Sequence, residues 1–497
     1  MYQIFVAEDE PASLKHILTL VKLKCSKFEV IGTADNGRSA LEEIEKKRPD
    51  VLITDVKMPI IDGIELVRRV KEKYPSILSV IISGYQEFEY ARAAIQAGVC
   101  DYILKPVKPS TFQDSMRVIQ GKLDRLYYIQ RKKILRKISK YDTGIISDDF
   151  IKAFPAEEYY VTLFRKNGLP RRFTTSPETE ILSIPEEQII VYGRDEMETL
   201  YICPKEMMLY QNFYDLVRDI VRKESGNAFY HTVVLIRNTV TPLELPDAIQ
   251  KLYQKLDVSL VIGESQIITL PEEVIDKKEE KNSTDAVKYI QHYLEEGERK
   301  KAIEEVGRYF ARWEKQKLSQ LEVEDKVREI IHLFCRYRML NDTIDSYGYY
   351  MDEAFYYAEN MSDLADNLLQ ILDKGEEQKV LRGKIDTEEY FRQILEYMQS
   401  HLCESLSPQV ICRIFGISQT YLCRMFRNYM SKSFSKVLNE MRIEKACEIM
   451  KNRRELFVKE VAALVGYSDQ FYFSRIFRAI KGISPSEYME DITKELT

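Results

Sequence analysis

The chain has 497 residues, 45% of them apolar and 31% charged, with a net charge of −6. At roughly 150 residues per domain it divides into about three domains, and this composition can bury several cores, which excludes a disordered polymer. No apolar run approaches the roughly 20 residues of a membrane helix. The opening MYQIFVAEDEP puts acids where a signal peptide has a basic end and a long apolar stretch. A soluble, cytosolic protein without a membrane partner is expected.

The eight cysteines are scattered, without a C-x-x-C pair, and the five histidines are equally dispersed. Small buried apolar groups in a reducing compartment explain the cysteines better than disulfides or zinc. Charge is unevenly spread. Residues 407–481 carry fourteen basic residues against six acids, a net +8 that leaves −14 for the rest of the chain. A basic module on an acidic protein points to a polyanion partner for that module.

Over residues 2–107, YQIFVA, FEVIGTA, VLIT, LSVIIS and YIL read as strands. PASLKHILTLVKL, RSALEEIEKK, GIELVRRVKEKY and FEYARAAIQAG, with apolar positions three and four apart, read as the helices between them. Such alternation predicts a doubly wound parallel sheet whose sites form at the carboxyl ends of the strands. Those ends carry Glu8-Asp9, Asp55, Ser83-Gly84 and Lys105-Pro106. Three carboxylates, a hydroxyl and an ammonium on one rim suit a hard divalent cation such as magnesium. They also suit Asp55 as a carboxylate nucleophile for phosphoryl transfer, with Lys105 and Ser83 on the phosphoryl oxygens.

VAEDE, LITDVKMPIIDG, VIISGY and DYILKPV resemble the CheY-like receiver domain of two-component response regulators over residues 1–125. The resemblance implies Asp55 as phosphoacceptor, with magnesium held by Glu8, Asp9, Asp55 and the Lys57 carbonyl. It further implies Ser83 and Tyr102 as a switch pair and a cis peptide between Lys105 and Pro106.

Residues 108–140 read as one long helix, with 126–140 as a linker. Met116, Ile119, Leu123 and Leu126 space as a short coiled-coil seam, which Gln130 and Lys133 weaken; a final receiver helix running into a linker fits equally well. Residues 141–280 read as a mixed α/β region, with strands YYVTLFR, QIIVYG, ETLYIC, FYHTVVLI and VSLVIG and helices QNFYDLVRDIVRK and LELPDAIQKLYQKL. IDKKEEKNSTD at 275–285 reads as a boundary loop. Residues 281–380 read as helical, with Tyr289, Tyr293, Tyr309, Phe310 and Phe334 as a core stripe. YGRDEMETL at 192–200 faintly resembles the GGDEF hairpin of diguanylate cyclases, which suggests a degenerate cyclase-like fold. Arg194 replaces the second glycine and YYVTLFRKNG offers no acid, so a spacer or dimerisation module is the favoured reading and a nucleotide-cyclase-like enzyme or ligand module the alternative.

Residues 386–497 read as all-helical with an internal repeat: ICRIFGIS matches VAALVGYS, and YLCRMFR matches YFSRIFR. Each copy has an apolar helix, a glycine turn, a serine and a second, basic helix, with Ser407-Pro408 to cap the first helix of the first copy, and Ser418 and Ser468 to cap the second helix of each. This is the helix-turn-helix pattern, whose second helix enters the major groove. KSFSKVLNEMRIEKACEIMK and VAALVGYSDQFYFSRIFRAIKGISPSEY resemble the connecting helix and signature of the AraC/XylS family, which implies two recognition helices about one DNA turn apart, ~34 Å. Exposed early positions would read bases: Gln419, Thr420 and Arg424 in the first helix, and Asp469, Gln470, Ser474 and Arg475 in the second. Arg427, Lys432, Arg478 and Lys481 would hold phosphates. Tyr421, Phe426, Tyr472, Phe473 and Phe477 are expected in the core, and Phe471 stands where the family is often polar.

The fold expected is multidomain: an α/β receiver with a five-stranded parallel sheet, a mixed α/β plus helical middle region, and an all-α end with two helix-turn-helix motifs. The function implied is a DNA-binding transcriptional response regulator of the YesN type, a group associated with sugar-responsive gene control, and not an enzyme. Its partners would be promoter DNA, a sensor histidine kinase and, when phosphorylated, a second copy of the chain. RNA polymerase is a further candidate partner.

Overall fold

The computed structural model describes residues 1–497 except 85–87, 143–147, 172–180, 184–188, 196, 208–212, 214, 216, 219–229, 272–285, 341–343, 374–386, 405, 418, 454, 468–469 and 495–497. The chain forms two compact units, Met1–Lys133 and Ile134–Thr497.

The first unit alternates β1 (Tyr2–Ala7), α1 (Pro11–Lys24), β2 (Phe28–Ala34), α2 (Gly37–Lys47), β3 (Val51–Asp55), α3 (Gly63–Lys73), β4 (Leu78–Ser83), α4 (Phe88–Ala97), β5 (Asp101–Leu104) and α5 (Pro109–Ser139). The five strands pair in parallel in the order β2-β1-β3-β4-β5. Alternation along β3 shows why both faces are covered. Val51 and Ile53 enter the core beneath α1 and α5, while Leu52 enters the other core, beneath α2 to α4.

Strand order turns back on either side of β1, and the crevice between β1 and β3 is where such sheets place their sites. Helix α5 keeps Met116, Ile119 and Leu123 in the core of this unit, so three of the four seam residues are consumed by their own domain; Leu126 is exposed. Tyr127, past the middle of α5, donates a hydrogen bond to Asp50 Oδ1 at 2.7 Å.

In the second unit, α6 (Asp148–Ala153) precedes a six-stranded sheet of β6 (Tyr159–Lys166), β7 (Ile181–Ser183), β8 (Ile190–Gly193), β9 (Glu198–Pro204), β10 (His231–Ile236) and β11 (Gln266–Leu270). Its order is β11-β10-β6-β9-β8-β7, with β10 and β11 parallel and the other pairs antiparallel. The expected strand VSLVIG is not one. Helix α7 (Leu245–Ser259) runs into it, Leu260 and Ile262 are buried as the chain turns, and QIITL forms the last strand instead. A short apolar run after an amphipathic helix fits either state, and here the helix takes its first two residues before the chain turns. The boundary loop at 275–285 and most of QNFYDLVRDIVRK lie outside the described residues.

Helices α8 (Ala286–Glu295), α9 (Arg299–Gln316), α10 (Gln320–Arg336), α11 (Ile344–Tyr357) and α12 (Met361–Asp373) follow. Tyr309, Phe310 and Phe334 are buried as a core stripe, whereas Tyr289 lies on the exposed side of α8.

The last stretch is α13 (Thr387–Ser400), α14 (Pro408–Phe415), α15 (Gln419–Met430), α16 (Phe434–Asn452), α17 (Val458–Leu464), α18 (Gln470–Lys481) and α19 (Pro485–Lys494). Ser407 caps α14 by accepting from the Val410 N–H, Pro408 takes the first turn, and Gly416 ends the helix at φ +63°. Two separate cores form, one around α13 to α15 and one around α17 to α19. Helix α16 serves both, with Phe434, Val437 and Leu438 in the first and Ile443, Ala446, Cys447 and Met450 in the second. It is therefore the beam that fixes the spacing of the two copies.

Candidate functional site

The sheet edge of the first unit gathers the predicted residues. Glu8 is buried just past β1, Asp9 is exposed beside it, and Asp55 ends β3; one carboxylate oxygen from each lies within 4.8 Å of the others. Lys105 Nζ bridges Glu8 Oε1 at 2.9 Å and Asp55 Oδ2 at 2.7 Å, and the Val56 N–H donates to Asp55 Oδ1 at 2.6 Å. Burial holds the Glu8 carboxyl above its ordinary range, with Asp55 pushing the same way against hydrogen bonds from Lys105 and Ser13. Burial opposes the charge on Lys105, but its hydrogen bonds to Asp55 and Glu8 win and its pKa is raised. Ser83 is fully buried at the end of β4, Tyr102 is half-buried against the α4 side, and Lys57 is exposed in the turn after β3. The Lys105–Pro106 peptide is cis.

That turn is shaped by glycine. A Cβ on Gly63 would stand 1.8 Å from the Asp55 carbonyl oxygen, so only glycine lets the start of α3 approach the acid. Three oxygen-bearing side chains, one of them already desolvated, form a donor set that fits a hard divalent cation.

A model of the response regulator receiver domain matches residues 4–117, and a model of a helix-turn-helix domain matches residues 411–491. The chain carries a receiver domain ahead of a helix-turn-helix domain of the arabinose-regulator type. An uncharacterised transcriptional regulatory protein, YesN of Bacillus subtilis, is 36% identical over 159 residues, which are 32% of this chain and 41% of that one. The transcriptional regulatory protein HptR of Staphylococcus aureus is 30% identical over 139 residues, 28% of this chain and 53% of HptR. The chain thus spans about half the length of the curated relatives it matches. Among solved structures, the receiver domain of AraT, a response regulator from Geobacillus stearothermophilus, is 35% identical and covers 25% of this chain and 96% of its own, with a TM-score of 0.24. These relatives are named as transcriptional regulatory proteins and a response regulator. Among the described residues, no helix is long and apolar enough to cross a membrane.

In the helix-turn-helix domain, Arg424 is half-buried over the Tyr421 ring, and Arg427 and Lys481 are exposed. Gln470 and Arg478 are half-buried. Two expected readers are not exposed: Gln419 is 6% and Arg475 9% accessible. The cause is packing against the middle region. The Gln419 amide donates to the Glu353 carbonyl at 3.3 Å, and Arg475 Nη1 donates to Thr199 Oγ1 at 3.2 Å. Lys432 is paired with Glu440 at 2.7 Å, and the Ser474 hydroxyl donates to the Gln470 carbonyl of its own helix. Phe426, Phe473 and Phe477 are buried, and Tyr421 and Tyr472 pack at the edges of the two cores. Ser418, Ser468 and Asp469, and the side chains of Thr420 and Phe471, lie outside the described residues.

At the GRDEME stretch, Asp195 and Glu198 are each paired with an arginine. Arg194 grips Glu198 with Nε at 2.9 Å and Nη2 at 2.6 Å, and lies over the Tyr253 ring. Arg165 Nη1 meets Asp195 Oδ1 at 2.5 Å and its Nε donates to the Gly168 carbonyl at 2.7 Å. Of the two acids that match the cyclase motif, Asp195 is paired with Arg165, and Glu196 lies outside the described residues. Arg442 belongs to the basic stretch, yet it is buried: Nε donates to the Leu402 carbonyl at 3.0 Å and Nη2 to that of Glu404 at 2.7 Å. A lone arginine inside a helix of mixed character gives no sequence signal of such a role.

Proposed function

We propose that the chain is a DNA-binding transcriptional response regulator of a two-component system, phosphorylated on Asp55 by a partner histidine kinase so as to control promoter binding. One observation carries this reading above the others: a Lys105–Asp55–Glu8 cluster on a receiver sheet edge stands in the same chain as a doubled helix-turn-helix domain.

In the transfer, an Asp55 carboxylate oxygen attacks phosphorus, the P–N bond of a phosphohistidine breaks, and the departing imidazole takes a proton. The Val56 N–H and Lys105 hold the acceptor carboxylate in place. Lys105 and the Ser83 hydroxyl bind phosphoryl oxygens, and Tyr102 follows Ser83 as the switch. Glu8, Asp9, Asp55 and the Lys57 carbonyl would hold magnesium, which when bound supplies charge to offset the phosphoryl oxygens. Gln419, Thr420, Arg424, Asp469, Gln470, Ser474 and Arg475 read bases, while Arg427, Lys432, Arg478 and Lys481 hold phosphates. Residues 141–380 are non-catalytic, keeping at most a cyclase-like fold. The protein acts in the cytoplasm, and its phosphorylated form associates with a second copy.

Incubation with acetyl phosphate and magnesium tests the acceptor. A hydroxylamine-sensitive label should form, and should be absent from Asp55→Ala. A label that persists in that variant rules Asp55 out. Sequence-specific retention on duplex that disappears in Arg424→Ala/Arg475→Ala tests the DNA-reading helices.

A further inference from the structure

The DNA-reading helices are not bare. Helix α15 packs on α11 and α12, and α18 packs on β7. We propose that the middle region is an autoinhibitory clamp, in which the carboxyl end of α11 and the edge of the β7–β9 sheet occupy the faces that α15 and α18 would present to DNA. This inference rests on reading α15 and α18 as the recognition helices.

The contacts imitate what a groove offers. The Gln419 and Gln409 amides donate to main-chain carbonyls of Glu353 and Tyr357, at 3.3 and 3.0 Å. These acceptors sit at the carboxyl end of α11, the negative end of a helix dipole. Cys423 Sγ lies 3.8 Å from Glu353 Oε2, and Arg413 is within electrostatic reach of Glu359. The Tyr357 hydroxyl pairs with that of Ser435 and accepts from the Ser435 N–H at 3.3 Å. On the other copy, Arg475 reaches Thr199 of β9. A major groove, ~12 Å wide, admits a helix only when its reading face is uncovered.

The clamp is prebuilt and incompletely matched. Glu353 is held by Arg171 Nε at 2.6 Å, and Arg171 lies 3.8 Å over the Tyr356 ring, so the α11 end is fixed from behind. Among the described residues, Gln419 Oε1 and Arg475 Nε are buried without a hydrogen-bond partner. Release to water or DNA would satisfy both atoms. Cys423 lies outside both DNA-domain cores and is buried beside Glu353 of α11, which makes its thiol a reporter of opening.

The test uses the full chain, unphosphorylated, and a duplex enriched by the wild-type protein from a random pool. Thr199→Lys sets a like charge against Arg475, and Tyr357→Phe removes the hydroxyl that Ser435 meets. The double variant should bind the duplex at least tenfold more tightly at the same salt, and iodoacetamide should alkylate Cys423 at least tenfold faster. Unchanged affinity together with unchanged alkylation overturns the clamp. Should the double variant misfold, wild-type amide exchange decides. Saturating duplex should speed exchange over residues 351–357, and unchanged or slower exchange there overturns the proposal. Failure of the underlying reading looks different: no specific duplex is enriched, or Arg424→Ala/Arg475→Ala leaves binding unchanged.

Discussion

Arg442→Met tests whether the two helix-turn-helix copies are held as one rigid reader. Arg442 is 8% exposed, and its guanidinium donates to the Leu402 and Glu404 carbonyls at 3.0 and 2.7 Å and lies 5.3 Å from the Tyr467 ring centre. Methionine keeps most of the volume and removes both donors. Hydrogen bonds from a charged group contribute ~1.5–3 kcal/mol each, and the ring contact adds about 1 kcal/mol. Against this, burial depresses the Arg442 pKa, so removing the charge recovers part of the sum. The net expectation is a loss of about 3 kcal/mol.

A chain of several domains does not unfold in one step, so the loss belongs to local opening, read by native-state amide exchange. Protection over residues 402–406 and 442–450 should fall about a hundredfold, since every 1.4 kcal/mol is tenfold. Specific duplex affinity should fall with it, while salt-driven binding to random duplex stays the same. Arg442→Lys should rescue little, because an ammonium does not reproduce the planar fork. A folded Arg442→Met protein whose protection changes less than about threefold would refute the argument that this side chain ties the copies together.

Further expectations follow from the same contacts. Gly63→Ala should destabilise the receiver by several kcal/mol, seen as a lower denaturant midpoint, because its Cβ would collide with the Asp55 carbonyl; an unchanged midpoint would mean the turn relaxes freely. Arg165→Met leaves Asp195 and Glu198 buried beside an apolar group and should cost about 3–5 kcal/mol in the middle region, measured by urea unfolding. Arg427→Ala should weaken binding to all duplexes alike and lower the slope of log affinity against log salt by about one; a change confined to one sequence would make it a base reader.

The receiver was readable because its chemistry and its periodicity coincide. Each functional group closes a strand, and Val51, Leu52 and Ile53 distribute to two cores as a period of two requires. The doubled helix-turn-helix was legible from Gly416 and Gly466 in matching places, both at positive φ. Local pattern failed where tertiary contacts decide. VSLVIG has strand composition but follows a helix that continues into it, and ILS at β7 is too short to stand out from its polar surroundings. The seam on α5 was ambiguous because one apolar stripe serves a partner helix or the chain's own sheet equally well. Gln419 and Arg475 are polar and early in their helices, which marks them as readers; nothing in their own segments tells that Glu353 and Thr199, far away in sequence, cover them.

The central claim is a coupling between the amino-terminal carboxylate and the grip of the carboxyl-terminal helices on DNA. Duplex affinity measured at one salt concentration, with and without acetyl phosphate and magnesium, tests it most directly, with Asp55→Ala alongside. The account predicts at least a tenfold rise on phosphorylation, accompanied by self-association, and no rise in the variant. Equal affinity and an equal assembly state in the two forms would contradict it.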